Sequence, residues 1–288
     1  MHKKNSLKGL PSKALYAVMI FFALIFLFPL IFIIISSFKP EAIIFLDLRH
    51  LWKAFIPTTF TLENYRYVFQ RIPFGRYMFN SIFITGTTVL AGLFINSMLA
   101  YSLARLYWPM KKIVIIFIIA FAIIPLETIS VSMLVLVNSF PWFDGSTSWL
   151  NTYRVQIIPF ISDAFSTFLF YQFFICLPES LDESAKIAGS SPFHIYLHIT
   201  LPLSKPVFLT VAILNSLALW NSYLWPLIVT RSESVRPLSI GITALFVLNI
   251  QWGHILAFAT LMTVPIIVLF IIFQKRFVTS IASSGIKG

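Results

Sequence analysis

Long uncharged runs separated by short charged stretches set the pattern of this chain. Ala14 to Ile35 carries no charged residue and runs straight on into SSFKP. The apolar core of a cleavable signal is only about 7–15 residues, so this run predicts a retained first span over 14–35. Further apolar runs predict spans over 78–104, 113–137, 155–177, 207–230 and 255–273. Residues 36–77 form the one long mixed segment besides 178–206, and the part before 255 is expected to be partly helical. Six spans put both termini on one side of the membrane.

The stretch 178–206, PESLDESAKIAGSSPFHIYLHITLPLSKP, is the longest polar interruption of the C-terminal half. Pro178 suits a first helical position, and Glu179, Asp182 and Glu183 place negative charge at the positive end of the dipole. Gly189 is a helix stop, Ser191-Pro192 reads as a second N-cap with a first-turn proline, and Pro202 and Pro206 close the segment. Two short helices joined at a glycine are expected at a membrane surface.

Composition turns this pattern into a class. The 288 residues are 58% hydrophobic and 11% charged, against about 25% charged in a soluble domain. The chain is an all-α integral membrane protein, because outer-membrane strands would alternate apolar and polar residues. The net charge of +11 comes from Lys and Arg lying mainly between the apolar runs, which points to anionic lipid and not to nucleic acid. With the N-terminal lysines 3, 4, 8 and 13 inside, twelve of the 21 basic residues fall on the cytoplasmic side. That favours cytoplasmic tails at 1–13 and 274–288, an outer segment at 36–77, and 178–206 inside. The single Cys176 rules out an internal disulfide and reads as a small buried side chain.

No phosphate-cradling G-x-x-x-x-G-K-[ST] and no H-E-x-x-H occurs. ATP and magnesium, if used, belong to another polypeptide, and no cofactor is expected on this chain. His194 and His198 share a helical face, but no third ligand is evident, so no metal site is expected. Glu127, two residues after Pro125, is an ionisable group near mid-span, and Asn215 and Asn221 are polar groups in span five. Each either faces a translocation path or packs polar-to-polar against a neighbour. Asp163, near the outer end of span four, is expected to be hydrated. These groups form no nucleophile–base set, which weighs against a membrane enzyme. No internal repeat supports a secondary transporter.

Glu183, Ser184, Ala185, Gly189, Ile199, Leu201 and Pro202 match, at unbroken spacing, the E-A-A…G…I-x-L-P pattern of binding-protein-dependent ABC importer permeases. The match departs at Ser184 (usually Ala), Ala188 (usually Asp) and Ser190 (often Ala). YSLARLYWPMKK, WNSYLWPLI (Trp220 to Pro226 above all) and the closing FQKRFVTSIASSGIKG, ending Lys287-Gly288, resemble the shorter six-span permease of maltose-type carbohydrate importers. The resemblance implies a type I ABC importer permease fold in a bacterial or archaeal cytoplasmic membrane. It implies that 178–206 docks on the ATP-binding subunit. It also implies a second homologous permease, two ATP-binding subunits, an extracytoplasmic solute-binding protein, and a sugar or oligosaccharide substrate, with glycerol phosphate as the alternative.

Overall fold

In the computed structural model, residues 12–56, 59–248 and 250–284 are described; they form helices with short connections, and no strand occurs among them. Lys3, Lys4, Lys8 and Lys287-Gly288 lie outside the described residues. The chain divides into two units, Met1–Ile72 with Ile242–Val264, and Pro73–Gly241 with Pro265–Gly288.

In the first unit, α1 (Ser12–Ser36) exposes its large apolar side chains from Leu15 to Phe28, as a helix does whose solvent is lipid. Its far end is polar and closed. Lys39 is 1% exposed and donates from Nζ to Asp47 Oδ2 at 2.9 Å and to the carbonyls of Lys53 and Ala54 at 2.7 and 3.2 Å. All three ammonium protons are used, and they tie α2 (Glu41–Asp47) to the end of α3 (Leu51–Phe55). Asn64 in α4 (Glu63–Arg71) donates to the carbonyls of Ser37 and Lys39 at 2.8 and 2.9 Å. A Cβ on Gly253 would stand 2.6 Å from the Asn64 amide oxygen, so only glycine fits there. Lys39 is thus neutralised inside a segment whose sequence reads as basic.

The second unit is built on α5 (Phe74–Arg105), a continuous helix of 32 residues. Around it the expected spans are interrupted. Residues 113–137, one apolar run in the sequence, form α6 (Lys111–Ile123) and α7 (Leu126–Asn138), bent by 104°. The cause is Pro125, which lacks an N–H and drives Ile124 into the extended region. Residues 155–177 fall in α8 (Tyr153–Ile161) and α9 (Ala164–Ile175). The 178–206 segment holds α10 (Glu179–Ile187), then α11 (Pro192–Ile195), a π-helical turn (Tyr196–Thr200) and α12 (Leu201–Leu203). It leads through a 78° bend at Ser204 into α13 (Lys205–Trp220), and Asn221–Tyr223 separate that helix from α14 (Leu224–Val229). Two further helices, α15 (Leu238–Leu248) and α16 (Trp252–Ser284), complete the described elements. Among the described residues four helical stretches, with α8 and α9 together counting as one, are long and apolar enough to cross a membrane, or up to six if each bent pair counts as one span.

Among the described residues, two hydrophobic cores lie in the second unit. One, the hairpin-side core, joins Ala100 and Tyr101 of α5, Phe170 and Phe174 of α9, Val207 and Val211 of α13, and Ala185, Ile195 and Tyr196 of the 178–206 segment. The other, the loop-side core, joins Val137 of α7, Trp149, Val155 of α8, and Trp225 and Val229 of α14. The indole of Trp225 donates to the Val155 carbonyl at 2.9 Å, locking α14 to α8. In the loop between α7 and α8, Ser146 donates to Asp144 from its hydroxyl and backbone, and Arg154 adds a 2.9 Å ion pair. Together they hold the Asp144 carboxyl below its ordinary value.

Candidate functional site

Helix α10 ends as its sequence dictates. Gly189 has φ +81°, Ser190 N–H donates to Ala185 O at 3.0 Å, and Gly189 N–H to Lys186 O at 2.9 Å. This is a Schellman closure, which requires the left-handed residue that glycine supplies at least cost. Ser191 then caps α11, accepting from His194 N–H at 3.3 Å, with Pro192 in the first turn. Pro178 differs by one position from the sequence reading: it is the N-cap, and Glu179 opens the helix.

The motif residues separate into two faces. Glu183, Ser184, Gly189 and Pro202 are exposed. Ala185 is buried in the hairpin-side core, and Ile199 and Leu201 pack against it. The small residue at 185 therefore serves internal packing, while Ile187, 89% exposed, and Phe193, 52% exposed, give the outward face apolar area. Among the described residues Glu183 has no ion pair, with Lys186 or any other group. His194 and His198 stack at 4.0 Å, and no cluster of three metal-ligating residues exists among the described residues.

Two residues that the motif does not contain hold this hairpin to the bundle. Arg105, in the last turn of α5, donates from Nη2 to the carbonyls of Phe174 and Leu177 at 2.6 Å each, and its Nη1 lies 3.3 Å from Asp182 Oδ2. It caps the C-terminal end of α9, where carbonyls are otherwise orphaned, while pairing with the first turns of α10. Tyr196, 1% exposed, hydrogen-bonds with its hydroxyl to Ser97 of α5 at 2.7 Å. Of these contacts, only the placing of Asp182 in a first turn is legible in the sequence; its partner lies 77 positions away along the chain.

The intramembrane candidates do not converge. Glu127 lies exposed in the first turn of α7, directly after the break at Pro125. Asn215 donates to Ser166 Oγ at 2.9 Å, joining α13 to α9. Asn221 is exposed and donates to Leu217 O of its own helix at 2.8 Å. Asp163 corrects the expectation of simple hydration: it is the N-cap of α9, accepting from Ser166 N–H at 2.7 Å and from the Ser166 hydroxyl. The break in the helix there leaves N–H groups that the carboxylate satisfies. Cys176, expected to be buried, is exposed at the end of α9.

Several apolar helices, two of them broken by sharp bends, with a polar hairpin between them, mark a multi-pass membrane protein. Residues 89–283 match the family described as the binding-protein-dependent transport system inner membrane component, and the chain belongs to that family of permeases. It is 31% identical, over 93% of its length and 94% of the relative's, to the arabinooligosaccharides transport system permease protein AraQ of Halalkalibacterium halodurans. It is 29% identical, over 93% of its length and 94% of the relative's, to the trehalose/maltose transport system permease protein MalG of Thermococcus litoralis. A solved bacterial ABC transporter involved in the import of the acidic polysaccharide alginate shares its fold, with a TM-score of 0.76, 21% identity, and coverage of 94% of this chain and 100% of that chain.

Proposed function

We propose that this permease forms half of the pathway of an ATP-driven importer for a sugar or oligosaccharide. A second homologous permease supplies the other half. An extracytoplasmic binding protein delivers the substrate, and two separate subunits bind ATP and magnesium. The proposal rests first on the near full-length similarity to permeases named for arabinooligosaccharides and for trehalose and maltose. The hairpin supports the coupling role. Glu183, Ser184, Gly189 and Pro202 are free to meet a partner, while Ala185, Ile199 and Leu201 root the segment in the bundle core. A partner that pulls on the exposed face therefore moves α5, α9 and α13 as well.

The test is reconstitution of the complete transporter in proteoliposomes with ATP inside. Uptake of labelled maltose, trehalose and arabino-oligosaccharides is compared with glycerol 3-phosphate. ATP-dependent, vanadate-sensitive uptake of one of the sugars is expected. Uptake of glycerol phosphate alone would overturn the sugar reading, and uptake without the ATPase would overturn the coupling role.

A further inference from the structure

Two connections in the second unit join helices of different cores, and a third precedes a helix of the loop-side core. Ile124-Pro125 precedes α7, Ser162-Asp163 separates α8 from α9, and Asn221–Tyr223 separates α13 from α14. Helices α9 and α13 contribute to the hairpin-side core, and α7, α8 and α14 to the loop-side core. Among the described residues none belongs to both. Packed cores move as bodies, and a backbone without helical hydrogen bonds is where motion between them is absorbed.

One side chain spans the middle break. Asn96 of α5 is fully buried, at 0% exposure. Its Nδ2 donates to Ile161 O, the last residue of α8, at 2.9 Å. Its Oδ1 accepts from Asp163 N–H at 3.0 Å and from the Thr167 hydroxyl of α9 at 3.1 Å. A turn earlier on α5, a Cβ at Gly92 would stand 3.0 Å from the same Ile161 oxygen, so glycine there lets α5 approach the break. A turn later the hairpin-side core begins at Ala100 and Tyr101, and Ser97, adjacent to Asn96, carries the bond to Tyr196. The 178–206 segment and the break in span four thus reach the same turn of α5.

We propose that Asn96 is a positioning residue for transport, holding the ends of α8 and α9 in register so that displacement of the hairpin-side core changes the angle at Ser162-Asp163. This rests on the coupling role assigned to 178–206. The break frees the carbonyl of Ile161 and the N–H of Asp163, and a freed backbone group within a membrane span must find a partner. The amide of Asn96 satisfies both with one pivoting group, keeping the break defined without making it rigid.

The test uses the whole transporter in nanodiscs, with Cys176→Ser and spin labels at Val135 of α7 and Ile175 of α9, both exposed. The label distance is read without nucleotide and with ATP plus vanadate, beside ATPase activity. In the otherwise unsubstituted chain the distance is expected to shift by several ångström. With Asn96→Leu the shift is lost and stimulation of the ATPase by binding protein falls about tenfold, the factor that about 1.4 kcal/mol represents, while basal ATPase stays within about twofold. Thr167→Val, which removes a hydroxyl shared between Asn96 Oδ1 at 3.1 Å and the Asp163 carbonyl at 2.9 Å, gives a partial loss and decides the matter if Asn96→Leu does not assemble. A full shift in Asn96→Leu, or in Thr167→Val if only that variant assembles, or no shift in the unsubstituted chain, overturns the proposal. Glu183→Lys separates the two readings. If the coupling role is wrong, Glu183→Lys keeps the shift; if only the hinge is wrong, Glu183→Lys abolishes it and Asn96→Leu does not.

Discussion

Arg105 and Asp182 meet at 3.3 Å between the end of α5 and the start of α10, with side chains only 6% and 12% exposed. The same guanidinium closes the carbonyl end of α9. Breaking a buried pair by removing one partner leaves an uncompensated charge, at a cost of about 3 kcal/mol. Asp182→Ala is expected to lower the thermal midpoint of the detergent-solubilised complex and to loosen α10 from the bundle. Arg105→Lys should also fail, because a point charge cannot serve two carbonyls and a carboxylate in a forked geometry. Melting of the purified complex checks both.

Gly189 tests the backbone alone. A Cβ there would meet nothing within 4 Å, yet φ is +81°. Gly189→Val is therefore expected to cost about 1–2 kcal/mol from left-handed strain, more for its β-branch. Gly189→Asn should retain most of the function, since asparagine tolerates this conformation. ATPase stimulation by the binding protein is the measurement.

Glu183 makes no ion pair among the described residues and is exposed. Glu183→Lys should leave membrane insertion and melting within about 0.5 kcal/mol of the parent, as surface changes do, while co-purification with the ATP-binding subunit falls. Unchanged co-purification and unchanged uptake would remove Glu183 from the coupling surface.

Glu127 and Asn215 are expected to behave differently. Asn215→Ala removes an interhelical hydrogen bond to Ser166, worth about 0.6 kcal/mol inside a membrane, and should lower stability without altering which sugar is carried. Glu127→Gln removes a charge at the positive end of α7, worth about 0.3–1 kcal/mol, and breaks no ion pair among the described residues. If Glu127 faces the path, uptake changes while ATPase coupling persists. Transport of labelled sugar beside detergent melting separates the two residues.

The residue pattern is enough to establish a helical membrane protein, to locate its apolar runs, and to mark where the polar hairpin starts and stops. Those features are local: a bilayer needs about twenty apolar residues, and Gly189, Ser191 and Pro192 act on their own turns. The matched motif also extends the reading to a family that the match over residues 89–283 bears out. Packing, by contrast, settles which motif residues turn inward. Ala185, Ile199 and Leu201 face a core supplied by α5, α9 and α13, and nothing in their spacing names those helices. Packing also places the break of the run 155–177 at Asp163, which no proline announces at that residue. That break persists because Asn96, 67 residues earlier, satisfies the backbone groups it frees. In lipid a helix can open only where another chain segment brings the missing hydrogen bonds, and the identity of that segment depends on what packs opposite.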